Sequence, residues 1–495
     1  MTGKRVTLVQ LPFPVLPEEP RHLCPPLGLA YLAASLDAVG HQPHIIDAVL
    51  DGYQNEWAVA PDCLAYGLTP ESIVEKISQG EPDLVGLSCL FSTQDKILRA
   101  VAKEIRLRLP DVPIVLGGTH STVFAKKLVA DGTADFVLRG EGELSLNELL
   151  ATLSSRKGLA QVSGLTWQDS GGIHETPVQR ISELDSLPLP ARHQLNLDAY
   201  SQNGILHGES RTGLPSTTIF TSRGCPARCI FCSIHPVWGY KFRAMSASRV
   251  LEEIHELYEH FGIRHLLIED DNFTFDINRA KEILRGLARF WPEMTWSAPN
   301  GVAIWRMDDE LVELMALTGC KRLSLAVESG CARTMERVIG KPLNLDQVQH
   351  VISLCKRHRI RTTAFFVLGI PGESREDMLE SMRFAADLDV DTVSVMTAVP
   401  LPGSPLYEQS ILEGWVHPDT PFTSFSTRNP VLTTAEFTPQ WVDRLARRTM
   451  MAHAFKHPGS YIRRVVEKLT ASPSTTIVSM ARMVAGSFMS RNYDK

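Results

Sequence analysis

Residues 223–236 read RGCPARCIFCSIHP, and three cysteines stand there at C-x3-C-x2-C spacing. The stretch directly follows a strand-like run, STTIFTS (216–222). A four-iron cluster is ordinarily held by four thiolates. Three leave one iron free for another ligand, the open position that separates catalytic from closed structural metal sites. Cys225, Cys229 and Cys232 are therefore expected to cradle a four-iron four-sulfur (4Fe-4S) cluster. Gly224 and Pro226 suit a tight loop, and Phe231 can shield the last ligand from water. His235 keeps a second reading open, because C-x3-C-x2-C-x2-H also fits a Cys3His zinc site.

Beyond the cysteines, apolar β-rich runs alternate with amphipathic segments. RHLLIED (264–270), MTWSAPN (294–300), KRLSLAVES (321–329), RTTAFFVLG (361–369) and DTVSVMTA (391–398) read as strands. SASRVLEEIHELYEHFG (246–262) and DDELVELMALTG (308–319) read as helices between them. Together with STTIFTS, six such units predict a partial (βα)6 barrel, with its active-site loops at the carboxyl ends of the strands.

Upstream the same alternation occurs once more. RVTLVQL (5–11), PHIID (43–47), DLVGLSCL (83–90), PIVLGG (113–118) and DFVLR (135–139) are strand candidates. PPLGLAYLAASLDAVG (25–40) has prolines at its start and glycine at its end, and TPESIVEKISQG (69–80) opens on Thr69 as a helix cap. Near-continuous apolar strands between helices predict a parallel sheet covered on both faces, of Rossmann or flavodoxin-like type. Such sheets bind ligands at the carboxyl ends of their strands. The expected fold class is α/β, divided into an N-terminal sheet domain (1–150), a connector (151–215) with a small hairpin at SGGIHETPVQ, the partial barrel (216–405) and a mostly helical C-terminal segment (406–495).

Composition narrows the function. At 495 residues with 44% hydrophobic and 21% charged residues, the chain is an ordinary globular one of two or three domains. A net charge of -6 argues against a general nucleic-acid binder. The N-terminal run breaks at prolines, unlike a signal peptide, and no stretch approaches the ~20 apolar residues that span a bilayer. Nine cysteines with one tight cluster suit a reducing cytoplasm. Cys24, Cys63, Cys89, Cys320, Cys331 and Cys355 read as core or loop thiols, with Cys331 at a strand end the first to check for a role.

RGCPARCIFCSIHP resembles the hallmark loop of the radical S-adenosylmethionine (SAM) superfamily. Further segments resemble that family's strand ends: LIEDDNFTFD (267–276), LAVESG (325–330), FFVLGIPGES (365–374), VPLPGSPLY (399–407) and, after the cluster loop, YKFRAMSASRVLEEI (240–254). Ahead of the barrel, PPLGLAYLAASL (25–36), VGLSCLFST (85–93), VLGGTHST (115–122) and DFVLRGEGE (135–143) resemble the cobalamin-binding branch. The resemblance covers about residues 5 to 410. Extra N-terminal cysteines of the methylthiotransferase kind are missing, as is the D-x-H-x-x-G signature by which some cobalamin proteins give a histidine to cobalt.

The resemblance implies that SAM chelates the fourth iron and is cleaved to a 5′-deoxyadenosyl radical. It assigns Asp270 and Asp271 to the SAM amino group, Glu328 and Ser329 to the ribose and methionine region, and Gly369 and Gly372 to the adenine, with Arg243 a further contact to SAM or structure. Ser88, Gly117, Gly118 and Thr119 would leave room for the corrin and its nucleotide tail, and His120 would line the tail rather than ligate cobalt. The implied activity is methyl transfer from methylcobalamin to an unactivated carbon (or phosphorus) of a small-molecule or natural-product substrate. Cofactors do the difficult chemistry, so no catalytic side chain is named. An electron donor such as flavodoxin or ferredoxin is implied as partner. A cobalamin-dependent cyclase or ring-rearranging enzyme is the alternative, and a zinc-stabilised non-catalytic binding protein a further one. STTIVSMARMVAGSFMSR (474–491) could form an amphipathic helix on a membrane, though packing or an oligomer contact is the commoner use.

Overall fold

The computed structural model describes residues 3–15, 21, 23–60, 63–153, 157–203, 213–417, 419–426 and 430–471. STTIVSMARMVAGSFMSR lies outside the described residues.

Continuous burial along Arg5–Gln10, after its first residue, follows from a strand packed on both faces. It lies one strand in from the edge of a seven-stranded sheet ordered Gly172–Glu175, Leu165–Asp169, Phe136–Leu138, Ile114–Gly117, Leu84–Ser88, Arg5–Gln10 and Gln42–Asp47. The last five strands in that order pair in parallel. The two at the other end form an antiparallel hairpin, which pairs with Phe136–Leu138 and covers what would otherwise be an open edge. The hairpin expected in the connector is thus an integral part of the N-terminal sheet. Thr69 caps Pro70–Gln79, its hydroxyl accepting from the Ser72 amide. A small antiparallel sheet of Phe13–Val15, Cys63–Tyr66 and Glu56–Ala60 was not expected, because its strands are short and carry little alternation.

The second sheet has six parallel strands in chain order: Ser216–Ile219, His265–Ile268, Thr295–Val302, Cys320–Glu328, Arg361–Leu368 and Thr392–Thr397. Along Arg361–Leu368, Thr362, Ala364 and Phe366 are buried, whereas Arg361, Thr363 and Phe365 are half-buried. That alternation is the mark of a barrel with helices outside and an accessible interior. The covering helices start at side-chain caps: Ser246, Asp276, Asp308, Asn344 and Ser374 each accept from a backbone amide two or three residues on. After the last strand the chain is mostly helical, and Pro439–Lys456 packs on Arg375–Asp387 and Thr392–Thr397. Among the described residues no helix is long and apolar enough to cross a membrane.

One apolar core runs through both sheets' neighbourhoods, joining Leu27, Tyr31 and Leu36 of the first helix to Val250, Ile254 and Ile268 of the barrel. Within it, Trp296 is fully buried, donates its indole N–H to Thr318 Oγ1 at 3.0 Å and meets Phe273 edge-on. Trp296→Ala is expected to destabilise the chain by about 3–5 kcal/mol, read as a fall in chemical-denaturation midpoint with an unchanged slope.

Candidate active site

The cluster loop leaves the first barrel strand through Gly224, whose φ of 83° and lack of room (a Cβ would stand 2.6 Å from the Lys241 carbonyl oxygen) exclude other residues. Cys225, Cys229 and Cys232 follow, all half-buried. Burial pushes the Cys229 thiol up to about 11 and the Cys232 thiol up to about 12. Such thiols become ligands when a metal supplies the positive charge their surroundings lack. The donor set therefore fits an iron–sulfur cluster. Among the described residues no three His, Cys, Asp or Glu side chains converge on a single metal ion. Cluster ligands need not converge, since each binds a different iron.

His235 settles the zinc alternative. Its Nε2 faces the carbonyl oxygens of Cys225 and Ala227 at 3.3 and 3.0 Å, and its ring stacks on Tyr240. That nitrogen donates to the loop backbone, so His235 braces the loop instead of completing a Cys3His site.

The expected strand-end residues surround this loop in different states of engagement. Asp270 is buried and accepts from the Thr221 amide at 2.6 Å and from the Thr221 and Ser222 hydroxyls at 2.5 Å. Its carboxylate is occupied in tying the second strand end to the root of the cluster loop. Asp271 is half-buried, accepts from the Gly224 amide at 3.3 Å, and is pushed up to about 6 by burial and by Asp270. Glu328 adopts a left-handed backbone (φ 67°), a strained conformation for a non-glycine residue, and pairs with Lys341 Nζ at 2.8 Å. Ser329 is buried, donating to Ser381 Oγ and accepting from the Cys331 amide. Cys331, also buried, donates to Asp377 Oδ1 at 3.4 Å, a structural role. Gly369 and Gly372 have φ of 79° and 102°, and Glu373 closes their turn by accepting from the Ile370 amide at 2.7 Å.

On the N-terminal sheet, Ser88 and Gly117 end adjacent parallel strands, and a Cβ on Gly117 would meet nothing within 4 Å. Gly118 (φ 94°) lies so close to the Cys89 carbonyl oxygen that a Cβ would stand 2.4 Å from it. Open space beside small residues fits a flat, broad ligand. Thr119 begins the short helix Thr119–Val123, which packs against His235–Trp238 behind the cluster loop. His120 is buried, with Nδ1 3.0 Å from Ser92 Oγ and Nε2 3.1 Å from Asp95 Oδ1. Both ring nitrogens are engaged within the chain, and the ring packs on Phe124 and on Phe422 of the C-terminal segment.

Of the residues that join the two sheets, sequence inspection singled out Arg243, as a contact to SAM or structure, but not Arg223, Glu141 or Glu143. Arg223, immediately before Gly224, bonds Glu141 at 2.6 Å and Glu143 at 2.5 Å. Arg243 bonds Glu141 at 2.7 Å, and Glu141 also accepts from the Ile181 amide at 3.0 Å. Burial works against the Arg223 charge, but Glu143 and Glu141 hold its pKa above the ordinary range. Tyr31 and Trp238 flank the guanidinium, 5.6 and 5.0 Å away. Arg243, a candidate SAM contact, is thereby a structural residue. The available signal was RGEGE, quoted for its family resemblance but not for its charges.

Comparison with known proteins agrees with this geometry. The B12 binding domain family matches residues 15–150, and the Radical SAM superfamily matches residues 219–385. Cytidylyl-2-hydroxyethylphosphonate methyltransferase of Streptomyces wedmorensis is 33% identical over 424 residues, 80% of this chain and 79% of that protein. An anaerobic magnesium-protoporphyrin IX monomethyl ester cyclase of Rubrivivax gelatinosus is 25% identical over 393 residues, 78% of this chain and 66% of that one. The solved structure of TsrM, a radical SAM methyltransferase from Kitasatospora setae with cobalamin and a [4Fe-4S] cluster bound, has the same fold: TM-score 0.66, 19% identity, 90% of this chain and 82% of that one. The chain belongs to the cobalamin-dependent radical SAM methyltransferase family. Its cofactors are a 4Fe-4S cluster, SAM and cobalamin, and the zinc-stabilised binding protein is excluded as a description of it.

Two outcomes follow from the buried charges. Glu141→Ala leaves Arg243 without its carboxylate partner and Arg223 with Glu143 alone, and is expected to cost about 3–5 kcal/mol in denaturant unfolding, whereas Glu141→Gln combined with Arg243→Met costs less than the two single effects summed. Burial raises Glu373 to about 8. The folded chain therefore keeps a proton that the unfolded chain loses near pH 4.5, so stability falls as pH rises between those values. In Glu373→Gln this slope should flatten, measured as thermal midpoint against pH.

Proposed function

We propose that the enzyme methylates an unactivated carbon of a small-molecule or natural-product substrate. The observation that carries this reading is the rigid join, through Glu141, Arg223 and Arg243, between a three-cysteine cluster loop and a sheet whose strand ends suit a corrin. When bound, the cluster with SAM supplies a hydrogen-abstracting 5′-deoxyadenosyl radical, and cobalamin supplies the methyl group. The protein's own part is placement. Cys225, Cys229 and Cys232 would hold three irons. Asp271, rather than the fully engaged Asp270, would accept from the SAM amino group. Glu328 and Ser329 would border the ribose and methionine, Gly369 and Gly372 the adenine. Ser88, Gly117, Gly118 and Thr119 would floor the corrin, with His120 anchoring that floor. Holding donor and acceptor carbons in line is worth several kcal/mol in such a reaction.

Within this reading the chain divides at 1–150, 151–215 (whose hairpin completes the N-terminal sheet), 216–405 and 406–495, works in the cytoplasm and takes electrons from a flavodoxin or ferredoxin. Cytidylylated phosphonates are the first substrates to try, on the strength of the Streptomyces wedmorensis relative. A second reading, cyclisation or ring rearrangement without methyl transfer, is favoured by the similarity to the Rubrivivax gelatinosus cyclase. Anaerobic turnover with methyl-deuterated SAM separates them by product mass. A product heavier by one deuterated methyl group is expected, and an unmethylated, rearranged product would establish the cyclase instead.

A further inference from the structure

Asn272 is a buried polar residue beside the cluster loop to which the reading above gives no task. It is 3% exposed and follows Asp270 and Asp271 on the loop after the second barrel strand. Its Nδ2 donates to Cys225 Sγ at 3.6 Å. Its Oδ1 is buried and has no hydrogen-bond partner among the described residues. The residue is held firmly on both sides. Asp271 accepts from Gly224 before it, and after it Phe273 packs on Trp296 while Thr274 Oγ1 accepts from the Ala303 amide at 2.8 Å.

The orientation has a physical reason. A thiolate ligand is an acceptor only, so the amide must turn N–H towards it and carbonyl away. Each ligand cysteine then has a different neighbour. Cys225 meets a side-chain amide from another strand end, Cys232 the Ile234 amide of its own loop, and Cys229 the field of Lys341. Hydrogen bonds to ligand sulfurs stabilise the added negative charge of a reduced cluster and so raise its potential.

We propose that Asn272 is a positioning residue for the cluster, donating its amide N–H to the Cys225 thiolate and setting the cluster's reduction potential. The inference rests on the cluster assignment made above.

The test uses the full-length protein with its cluster reconstituted anaerobically. Asn272→Leu keeps the volume and removes the donor, and Asn272→Asp keeps the shape and puts a carboxylate against the sulfur. Both are expected to retain iron and sulfide and to show a midpoint, by EPR-monitored redox titration, shifted to more negative potential, with the larger shift in Asn272→Asp. Midpoints equal to that of the parent protein in both variants would overturn the proposal. If either variant loses its cluster, the parent protein still decides. Labelled with heavy-nitrogen asparagine and reduced, its cluster signal should carry a nitrogen coupling from Asn272 in pulsed EPR, and lack of that coupling overturns the proposal. A parent protein that takes up no iron–sulfur cluster refutes the functional reading itself, and this inference with it.

Discussion

The architecture depends on a buried knot of charge. Glu141 and Glu143 sit just past a strand end of the N-terminal sheet, and Arg223 and Arg243 flank the cluster loop of the barrel. Removing these groups from water is costly, and their attraction offsets that cost only when geometry is near ideal and remaining donors find partners. Here Glu141 satisfies two arginines and a connector amide together. A buried network of this kind contributes little net stability but tolerates few alternative arrangements. Its consequence is a fixed separation between the place where a corrin would lie and the place where the cluster would form. A second buried set repeats the device, with Glu253 of the barrel accepting from Tyr31 of the N-terminal domain and from Arg192 of the connector.

Around the cluster loop, support comes from backbone and neutral groups more than from charge. Asp270 gathers Thr221 and Ser222, His235 gathers the carbonyls of Cys225 and Ala227, and Gly224 alone permits the turn between them. Near the site, backbone strain falls at the strand end where Glu328 takes a left-handed conformation and is held there by Lys341. Strained residues persist where surrounding contacts over-determine them, as these do. The loop can thus keep three thiols aligned while its fourth position stays open to a ligand.

Much of this was legible from residues close together in the chain. The C-x3-C-x2-C spacing, the six strand-like runs and the Thr69 helix cap are local signals, and each corresponds to an element of the structure. Glycines at strand ends were legible because positive φ leaves few other choices. Less legible were residues whose type suited two roles. Asp270 and Asp271 are adjacent carboxylates, yet one is consumed by Thr221 and Ser222 and the other is nearly free of them. Arg243 read equally well as a ligand contact or a structural residue until Glu141 was found against it. A hairpin was legible at SGGIHETPVQ (170–179), but not its first strand, Leu165–Asp169, nor the sheet edge that it covers.

The division has a physical cause. Periodicity, spacing and capping are relations between neighbours a few residues apart, so the chain's own order specifies the two α/β units, the three cysteines proposed as cluster ligands and the cofactor class their pattern resembles. Partnership between Glu141 and Arg223 spans 82 positions, and that between Asn272 and Cys225 spans 47. Nothing in either local stretch names the other. The first pairing exists because two sheets share one apolar core, the second because two neighbouring barrel strands end side by side, and each brings distant polar groups into places where water cannot serve them and only each other's charge or hydrogen bonds can.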